Sequence, residues 1–312
     1  MTSPSASRAR FDERFEGEFK QRIVFTGTLN TDDSRDAPTP ECPEDVERVR
    51  KMGRGAFGTV YEVADKRTGK VFALKEMHKK RLTAIGEDAL ARVDREIRIQ
   101  HRLSHPNIIK LEFSFQDSKR FYMGLEKAER GDLYQLLVEH SKNIPPFDRP
   151  VVVRYHREIL SALAYLHANS IVHRDLKLEN IMVRSDGSLA LGDFGLSKEI
   201  PDGITYTVVG TPDYMAPEMI TDKGGHGERV DSWAMGVCSF NLLVGGRPFR
   251  GPSDEETREQ IRAGAVAYPP PTSKRALDEE ARSFVSTLLV VDPTQRASIA
   301  EAQAHLFVAV SP

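Results

Sequence analysis

The sequence has little of what marks secreted, metal-rich or membrane-spanning proteins. Its 312 residues include two cysteines, Cys42 and Cys238, which are far apart and lack the spacing of a metal site. Two such cysteines indicate reduced thiols of an intracellular protein and exclude a disulfide framework. No apolar run approaches the roughly 18 residues of a membrane helix. Residues 1–10 also lack the apolar core of a secretory signal.

Net charge is small as well. Lys and Arg number 44 and Asp and Glu number 46, which leaves −2 at neutral pH and no bulk attraction to nucleic acid or an anionic membrane. We therefore expect neither as a partner. A hydrophobic content of 39% is ordinary for a soluble globular protein, and the length favours two lobes over a single core.

Residues 1–44 are predicted to form a flexible arm, because Ser, Thr, Asp, Pro and Arg dominate them and the prolines near the end interrupt helices and inner strands. Phe11, Phe15, Phe19 and Phe25 make the arm more apolar than a linker needs. Two interpretations stay open. The arm is a marginal helix or disordered, or it docks on the folded body or on a partner.

The rest of the chain is predicted to be α+β. Short β-branched and aromatic runs predict a small sheet that carries one helix, over 45–125. The strands are expected at 49–52, 59–64, 71–76, 108–115 and 121–125, and the helix at 87–103. Amphipathic or wholly apolar segments then predict a helical lobe over 132–308. Its helices are expected at 132–139, 150–168, 230–244, 279–291 and 297–308.

A glycine-rich loop opens the candidate site. Gly53, Gly55 and Gly58 lie between two strands, a context that argues against a dinucleotide fold and a Walker loop. Glycine lets the backbone approach phosphate oxygens closely. Alone, the motif equally fits an ordinary glycine-rich hairpin.

Lys75 follows on the next strand. A lysine at an inward position needs a partner, whereas an exposed strand residue does not. Glu96 on the next helix is the best-placed partner. Glu87, Asp88 and Asp94 remain rivals on sequence alone.

Residues 173–180, HRDLKLEN, and 193–195, DFG, carry the reactive groups. At these spacings Asp175 would accept a hydroxyl proton, and Lys177 would stabilise a transferring phosphoryl group. Asn180 and Asp193 provide the hard oxygen ligands that magnesium prefers. The ordered set of glycine loop, Lys75, helical glutamate and both motifs has a negligible frequency by chance.

From about 46 to 308 these residues resemble the eukaryotic protein kinases. Further landmarks agree, namely APE at 216–218, Asp231 with Trp233, and Arg296. Lys177 and Thr211 are of the serine/threonine type. The resemblance implies a bilobal fold with an N-lobe at 45–125 that carries helix C, a hinge at 126–131, a C-lobe at 132–308 and a tail at 309–312.

Within that superfamily, the sequence is most similar to the Aurora kinases. Residues 95–109, 210–220 and 230–249 carry this likeness, and Gln100 is an Aurora-like polar residue at a usually apolar position. Five features of the sequence depart from the Aurora pattern. They are Lys127 in the hinge, Leu178, Leu196 after DFG, the absence of arginine before Thr207, and Asn241 in place of an acid.

The resemblance also implies the roles of the site residues. The catalytic set would be Asp175, Lys177, Lys75 and Glu96, with magnesium on Asn180 and Asp193. ATP would lie between the lobes, with its adenine on the main chain of Glu126 and Ala128. The ATP-contacting residues would be Met52, Gly53, Gly55, Gly58, Val60, Ala73, Lys75, Leu125, Glu126, Ala128, Asp132, Glu179 and Met182.

Regulation is expected at Thr207. Its phosphate would pair with Arg174, Lys198 and Arg95 and order the activation segment, residues 193–218, although an unmodified loop threonine is the alternative. The resemblance implies Ser/Thr-containing protein substrates, an activating protein on the N-lobe and a monomeric catalytic domain. It places the protein in the cytoplasm or nucleus, on spindle or chromosomes, with a role in mitosis.

Three other functions compete with an Aurora-like kinase of the non-specific serine/threonine class (EC 2.7.11.1). A pseudokinase scaffold would be expected to lack Lys75, Asp175, Asn180 or Asp193, and all four are present. A small-molecule phosphotransferase would not need the GTPDYMAPE platform. A kinase of the cyclic-AMP-dependent group shares the same regions.

Overall fold

The computed structural model describes residues 25–26, 39–55, 58–86, 88–221 and 224–309. Most of the predicted arm, the rival partner Glu87 and the end of the predicted tail lie outside these residues. The chain divides into two compact units. The first comprises Met1–His101 and Lys110–Lys127, and the second comprises Arg102–Ile109 and Ala128–Pro312.

The first unit is built on an antiparallel sheet, with the strand order β1-β5-β6-β4-β3-β2. The strands are β1 (Phe25–Thr26), β2 (Val46–Arg54), β3 (Thr59–Asp65), β4 (Val71–His78), β5 (Leu111–Gln116) and β6 (Arg120–Leu125). Its helices are α1 (Lys79–Ile85) and α2 (Ala89–Arg102), of which α2 continues one residue beyond the unit.

The side chains form separate clusters on the two sides of the sheet, because successive residues of a strand face opposite sides. On one side lies an aromatic cluster in which Phe72 meets Phe113 edge-to-face, with ring centroids 5.0 Å apart. Met77 and Met123 pack with α1 and α2 in another cluster. The predicted strand at 49–52 is longer in the structure, because β2 pairs with β3 along its whole length.

The second unit is mainly helical. Its helices are α3 (Leu133–Glu139), α4 (Arg149–Ala168), α5 (Pro217–Thr221), α6 (Arg229–Val244), α7 (Asp254–Ala263), α8 (Glu279–Leu288), α9 (Ile299–Ala304) and α10 (Leu306–Ala309). Its short strands are β7 (Ile171–Val172), β8 (Ile181–Val183), β9 (Leu189–Leu191) and β10 (Lys198–Glu199). β7 pairs with β10 and β8 pairs with β9.

α6 is the centre of this unit, as its apolar character on all faces predicts. Trp233 is fully buried and stacks on Phe249, with ring centroids 5.3 Å apart. The helix ends at Gly245, whose φ of 72° lies in the left-handed region that favours glycine. Its observed start is one residue before the predicted one.

Two predicted helices were too long. The helix expected at 279–291 ends at Leu288, and the one expected at 297–308 consists of α9 and α10. These two are separated at His305, whose φ of −66° and ψ of 140° are extended rather than helical. Three helices, α1, α5 and α7, were not predicted.

α7 shows why it was missed. Only Ile261 is buried, so the periodic apolar signal is weak, although Ser253 forms a capping box with Glu256 and Gly264 adopts the left-handed conformation at its end. Together the units confirm the α+β class. Among the described residues, none of the helices combines the length and apolarity required to cross a bilayer.

Candidate active site

Residues 173–180, named the catalytic loop here for their predicted role, begin directly after β7 in the second unit. Asp231, fully buried at the start of α6, accepts hydrogen bonds from the backbone N of His173 and of Arg174, both at 2.9 Å. His167 Nε2 lies 2.8 Å from the Asp231 carboxylate. Burial raises the pKa of Asp231, but the hydrogen bonds and charges of His167 and His173 more than offset this, so the pKa is lowered. An ionised Asp231 therefore fixes the start of the loop.

The loop backbone is strained at Arg174. Its φ of 65° is in the left-handed region, which costs a residue with a side chain roughly 1–2 kcal/mol. The two hydrogen bonds to Asp231 stabilise this conformation. The turn allows Arg174 and Asp175 to take different directions, and Arg174 Nε donates to Leu196 O at 2.8 Å.

Asp175 is the centre of a three-residue group. Its Oδ1 accepts from Thr211 Oγ1 at 2.7 Å, and its Oδ2 lies 2.8 Å from Lys177 Nζ. Lys177 Nζ also donates to Thr211 Oγ1 at 2.7 Å. The carboxylate is 8% exposed, so it is held rigidly but remains reachable. A hydroxyl brought to this group would meet a proton acceptor and an ammonium ion side by side.

Asn180 lies on the same side of the loop. Its Nδ2 donates to Asp175 O at 2.8 Å and to Asp175 Oδ2 at 3.0 Å, so its amide oxygen points away from that residue. A short 3₁₀ turn, Leu178–Asn180, holds the side chain, which is 6% exposed. An amide oxygen in this fixed orientation is a suitable ligand for magnesium.

The DFG motif follows β9. His173 and the buried Phe194 pack edge-to-face, with ring centroids 5.2 Å apart, and His173 Nε2 lies 3.1 Å from Gly192 O. Asp193 is exposed and has a φ of 55°. The described residues contain no cluster of three or more His, Cys, Asp or Glu side chains for a metal. Asn180 and Asp193 carry the oxygen donors that magnesium prefers, and magnesium commonly takes its other ligands from phosphate and water.

The first unit contributes an ion pair. Lys75 Nζ on β4 lies 2.6 Å from Glu96 Oε1 on α2, and the two side chains are 14% and 5% exposed. The rival partner Asp94 instead pairs with Arg98. The structure thus brings Lys75 and Glu96 together, while their role toward a nucleotide stays a prediction.

The glycine loop lies at the β2–β3 turn. Gly55 N donates to Gly58 O at 2.9 Å. A Cβ at Gly58 would lie 2.2 Å from Glu76 O, whereas one at Gly53 or Gly55 would meet nothing within 4 Å. Gly58 is therefore required by the fold, while the open space at the other two glycines suits the close approach of a phosphate.

The remaining predicted nucleotide contacts are distributed over both units. Met52 lies on β2, Val60 on β3, Ala73 on β4 and Leu125 at the end of β6, and Glu126 follows in the same unit. In the second unit the predicted contacts are Ala128, Asp132, Glu179 and Met182. Asp132 has a structural function as well, since its Oδ1 caps α3 by accepting from Gln135 N at 2.8 Å.

The activation segment lies close to Arg174. Arg174 Nη1 donates to Thr207 O at 3.3 Å, and Lys198 Nζ donates to Thr205 Oγ1 at 2.8 Å. The Thr207 side chain is exposed and accessible for modification. Arg95, the third predicted phosphate partner, is an exposed residue of the first unit.

Two functional contacts were missed by sequence reasoning. Thr211 and Asp231 were recognised as landmarks, yet their bonds to the catalytic loop were not predicted. The APE glutamate, Glu218, did find the partner that the resemblance implies. Arg296, fully buried, binds it through two bonds of 2.7 and 2.8 Å.

Known proteins share this arrangement of motifs. The family model described as "Protein kinase domain" matches residues 46–308. An Aurora/IPL1-related protein kinase 2 of Caenorhabditis elegans is 38% identical over 265 residues, which cover 85% of this chain and 83% of that protein. An Aurora kinase of Candida glabrata is 40% identical over 263 residues, covering 84% and 70%. Aurora kinase B of Xenopus tropicalis is 38% identical over 265 residues, covering 85% and 70%.

Proposed function

Because this chain belongs to the protein kinase family and is Aurora-like, we propose that it is an active serine/threonine kinase that transfers the γ-phosphoryl group of ATP to protein hydroxyls. The observation that carries this proposal is the group formed by Asp175, Lys177 and Thr211, with three contacts of 2.7–2.8 Å. A scaffold without catalytic activity has no need to keep a proton acceptor, a cation and a hydroxyl in this arrangement.

In this mechanism, Asp175 accepts the proton of the substrate hydroxyl as the phosphoryl group is transferred. Lys177 neutralises negative charge beside it. The transition state of phosphoryl transfer is loose, so positioning and charge neutralisation provide most of the rate enhancement. The buried anchor of the loop on Asp231 supports this, because it holds the acceptor in place before substrate arrives.

ATP and magnesium are general to the family, and this chain contains suitable groups for both. A magnesium ion held by Asn180 and Asp193 would neutralise phosphate charge. Lys75, oriented by Glu96, would hold the α- and β-phosphates, and Gly53 and Gly55 would let the backbone approach them. The apolar residues Val60, Ala73 and Met182 would contact the adenine, with Leu125 as gatekeeper.

The remaining nucleotide contacts belong to the same proposal. They are Met52, Gly58, the main chain of Glu126 and Ala128, and the side chains of Asp132 and Glu179. The domain limits are proposed too, with an arm at 1–44, a kinase domain at 45–308 and a tail at 309–312.

The finer assignment is an Aurora-type kinase of the non-specific serine/threonine class. A role in mitosis, an activating protein on the first unit and a location on spindle or chromosomes are proposals based on likeness to the Aurora kinases. A kinase of the cyclic-AMP-dependent group is the second candidate. Asn241 favours neither, since it removes an acid that would attract arginine in a substrate.

We also propose that phosphorylation of Thr207 activates the enzyme. Its exposed side chain is accessible to another kinase, and Arg174 Nη1 already reaches its carbonyl. A phosphate adds about −1.5 to −2 charge near neutral pH and would draw Arg174 and Lys198 to it, with Arg95 as a third partner.

The function is tested by labelling a peptide library with magnesium-ATP. Wild type should transfer phosphate to serine and threonine, whereas Asp193→Asn should not. Absence of transfer by wild type phosphorylated at Thr207 would exclude an active kinase and favour a scaffold. Transfer to a small molecule but to no peptide would favour the phosphotransferase alternative. The preferred peptides would separate an Aurora-type specificity from the cyclic-AMP-dependent type.

A further inference from the structure

A main-chain bridge joins the activation segment to the loop before α6. Thr205 N donates to His226 O at 2.9 Å, and His226 N donates to Thr205 O at 2.8 Å. Both bonds use backbone atoms alone, so any residue with an N–H at 226 could form them. The bridge therefore does not explain why an imidazole lies here.

The imidazole of His226 is buried. It is 4% exposed, and its Nε2 has no hydrogen-bond partner among the described residues. A buried polar nitrogen without a partner is unfavourable, and such groups are rare unless a ligand, an ion or a water completes them. Nε2 is therefore a position at which a ligand can bind.

Four charged groups face His226, and two of them are acids already engaged elsewhere. These are Asp231, which holds the catalytic loop and His167, and Glu218, which is bound by Arg296. Neither carboxylate is therefore the natural partner of the imidazole.

The other two groups are cations that contact the activation segment. Arg174 reaches Thr207 O at 3.3 Å and Lys198 reaches Thr205 Oγ1 at 2.8 Å. Burial, followed by the charge of Arg174, lowers the pKa of His226, which keeps the imidazole neutral in the unmodified protein. Two cations and a neutral imidazole around one segment are suited to an anion.

We propose that His226, Arg174 and Lys198 form one anion site, and that its occupant is the phosphate of phosphorylated Thr207. The proposal rests on the phospho-Thr207 switch described above and adds His226 to the donors named there. The phosphate dianion favours the protonated imidazole, which takes a proton from solvent and donates Nε2–H to a phosphate oxygen. Such a charge-assisted hydrogen bond is stronger than a neutral one.

The test uses the full chain with phosphothreonine incorporated at 207 during translation, so no activating kinase is needed. The phosphate is titrated by ³¹P NMR in the parent protein, in His226→Leu and in His226→Gln. The phosphate should lose its last proton about tenfold more readily in the parent than in His226→Leu, a shift of about one pH unit. His226→Gln, which keeps an N–H donor without a charge, should lie between the two.

His156→Leu is the matched control. His156 is also a buried histidine whose Nε2 has no partner among the described residues, but it packs between Phe284 and Phe307. Its loss should leave the ³¹P titration unchanged. Identical titrations of parent and His226→Leu would overturn the proposal. If that variant does not fold, the pKa of His226 is measured by ¹⁵N-histidine NMR in the parent protein with and without the phosphate. The proposal requires phosphorylation to raise this pKa.

Activity assays on the same samples separate the two proposals. A phosphate that senses His226 but leaves the peptide-kinase rate unchanged would overturn the Thr207 switch and leave this site standing. A phosphate that raises the rate but titrates identically in parent and His226→Leu would overturn only the role of His226.

Discussion

The catalytic loop and the activation segment are neighbours in the second unit, yet they are held in opposite ways. In the loop, His173 is fully buried, and Arg174, Asp175 and Asn180 are each less than 9% exposed. In the segment, Ile204 is 52% and Tyr206 is 71% exposed. The loop is stabilised by an ionised, buried carboxylate. Around Thr207, the segment contacts Arg174 and Lys198 and forms the backbone bridge to His226.

The site thus combines a loop that is already ordered with a segment that we propose to be ordered by phosphorylation. The loop carries Asp175, the proton acceptor of the proposed function, in a buried and hydrogen-bonded position. The segment carries the exposed Thr207, whose phosphorylation we propose to order it. Substitutions in one part at a time test this difference.

Asp175→Asn should reduce the rate of phosphoryl transfer by about 10³-fold, because a positioned proton acceptor contributes on the order of 10²–10⁴. The amide is nearly isosteric, so the fold and the affinity for ATP should persist. Steady-state kinetics and the unfolding midpoint measure both. Asp186→Asn is the matched control, since Asp186 is an exposed acid that caps only the Ser188 turn. Equal rates for Asp175→Asn and wild type would show that Asp175 is not the acceptor.

Asp231→Ala should destabilise the second unit by about 3 kcal/mol, because the buried backbone N–H groups of His173 and Arg174 lose their acceptors. Chemical denaturation measures this loss. Asp278→Ala provides the comparison, since this half-exposed acid caps α8 by accepting from Ala281 N and should cost about 1 kcal/mol. Similar costs at the two positions would mean that the loop is not anchored by the buried carboxylate.

Acid should weaken the scaffold that carries the loop, through His156 on α4. Burial lowers the pKa of this histidine from 6.5 to about 4. Below pH 6.5 the unfolded chain binds a proton that the folded protein excludes, so stability is complete above pH 6.5 and falls as pH decreases toward 4. The loss approaches about 3 kcal/mol.

Urea unfolding at pH 7.5, 5.5 and 4.5 measures this dependence, and His156→Leu isolates it. The variant should lose less stability than the parent over this range. A parent and a variant with parallel pH profiles would contradict the assignment to His156, because other groups would then account for the whole loss.

Thr207→Ala should lower the activity of phosphorylated preparations by about tenfold, within the range typical of regulatory coupling. It should leave the unfolding midpoint unchanged, because the side chain is exposed. Tyr206→Phe is a suitable control, since it removes only a hydroxyl from the adjacent exposed residue. Full activity of Thr207→Ala in a purified kinase assay would refute the switch and leave the catalytic loop as the only requirement.

Local pattern was sufficient for some elements and insufficient for others. α6 was predicted to within one residue because it is apolar on all faces. A helix with this pattern is stable only when other elements surround it. α7 was missed because it buries one apolar residue and depends on its caps. The break at His305 leaves little trace in composition, because α9 and α10 both pack on α4 and α8 and the apolar pattern continues through the break.

The candidate site divides in the same manner. Motif spacing named Asp175, Lys177, Asn180 and Asp193, because their chemistry depends on residue type and order. It favoured Glu96 as the partner of Lys75 but did not exclude Glu87, Asp88 or Asp94, and the fold joins Lys75 to Glu96.

Residue types and their order were enough to identify the reactive groups and the α+β class. The residues far away in the sequence that contact these groups followed only from the tertiary structure. Thr211 reaches Asp175 across 36 residues, and Asp231 reaches the backbone N of Arg174 across 57. The bridge between Thr205 and His226 is also a tertiary contact. Such contacts close long loops. The entropy lost on closing these loops is offset by packing throughout the unit, so the spacing of nearby residues does not predict the contacts.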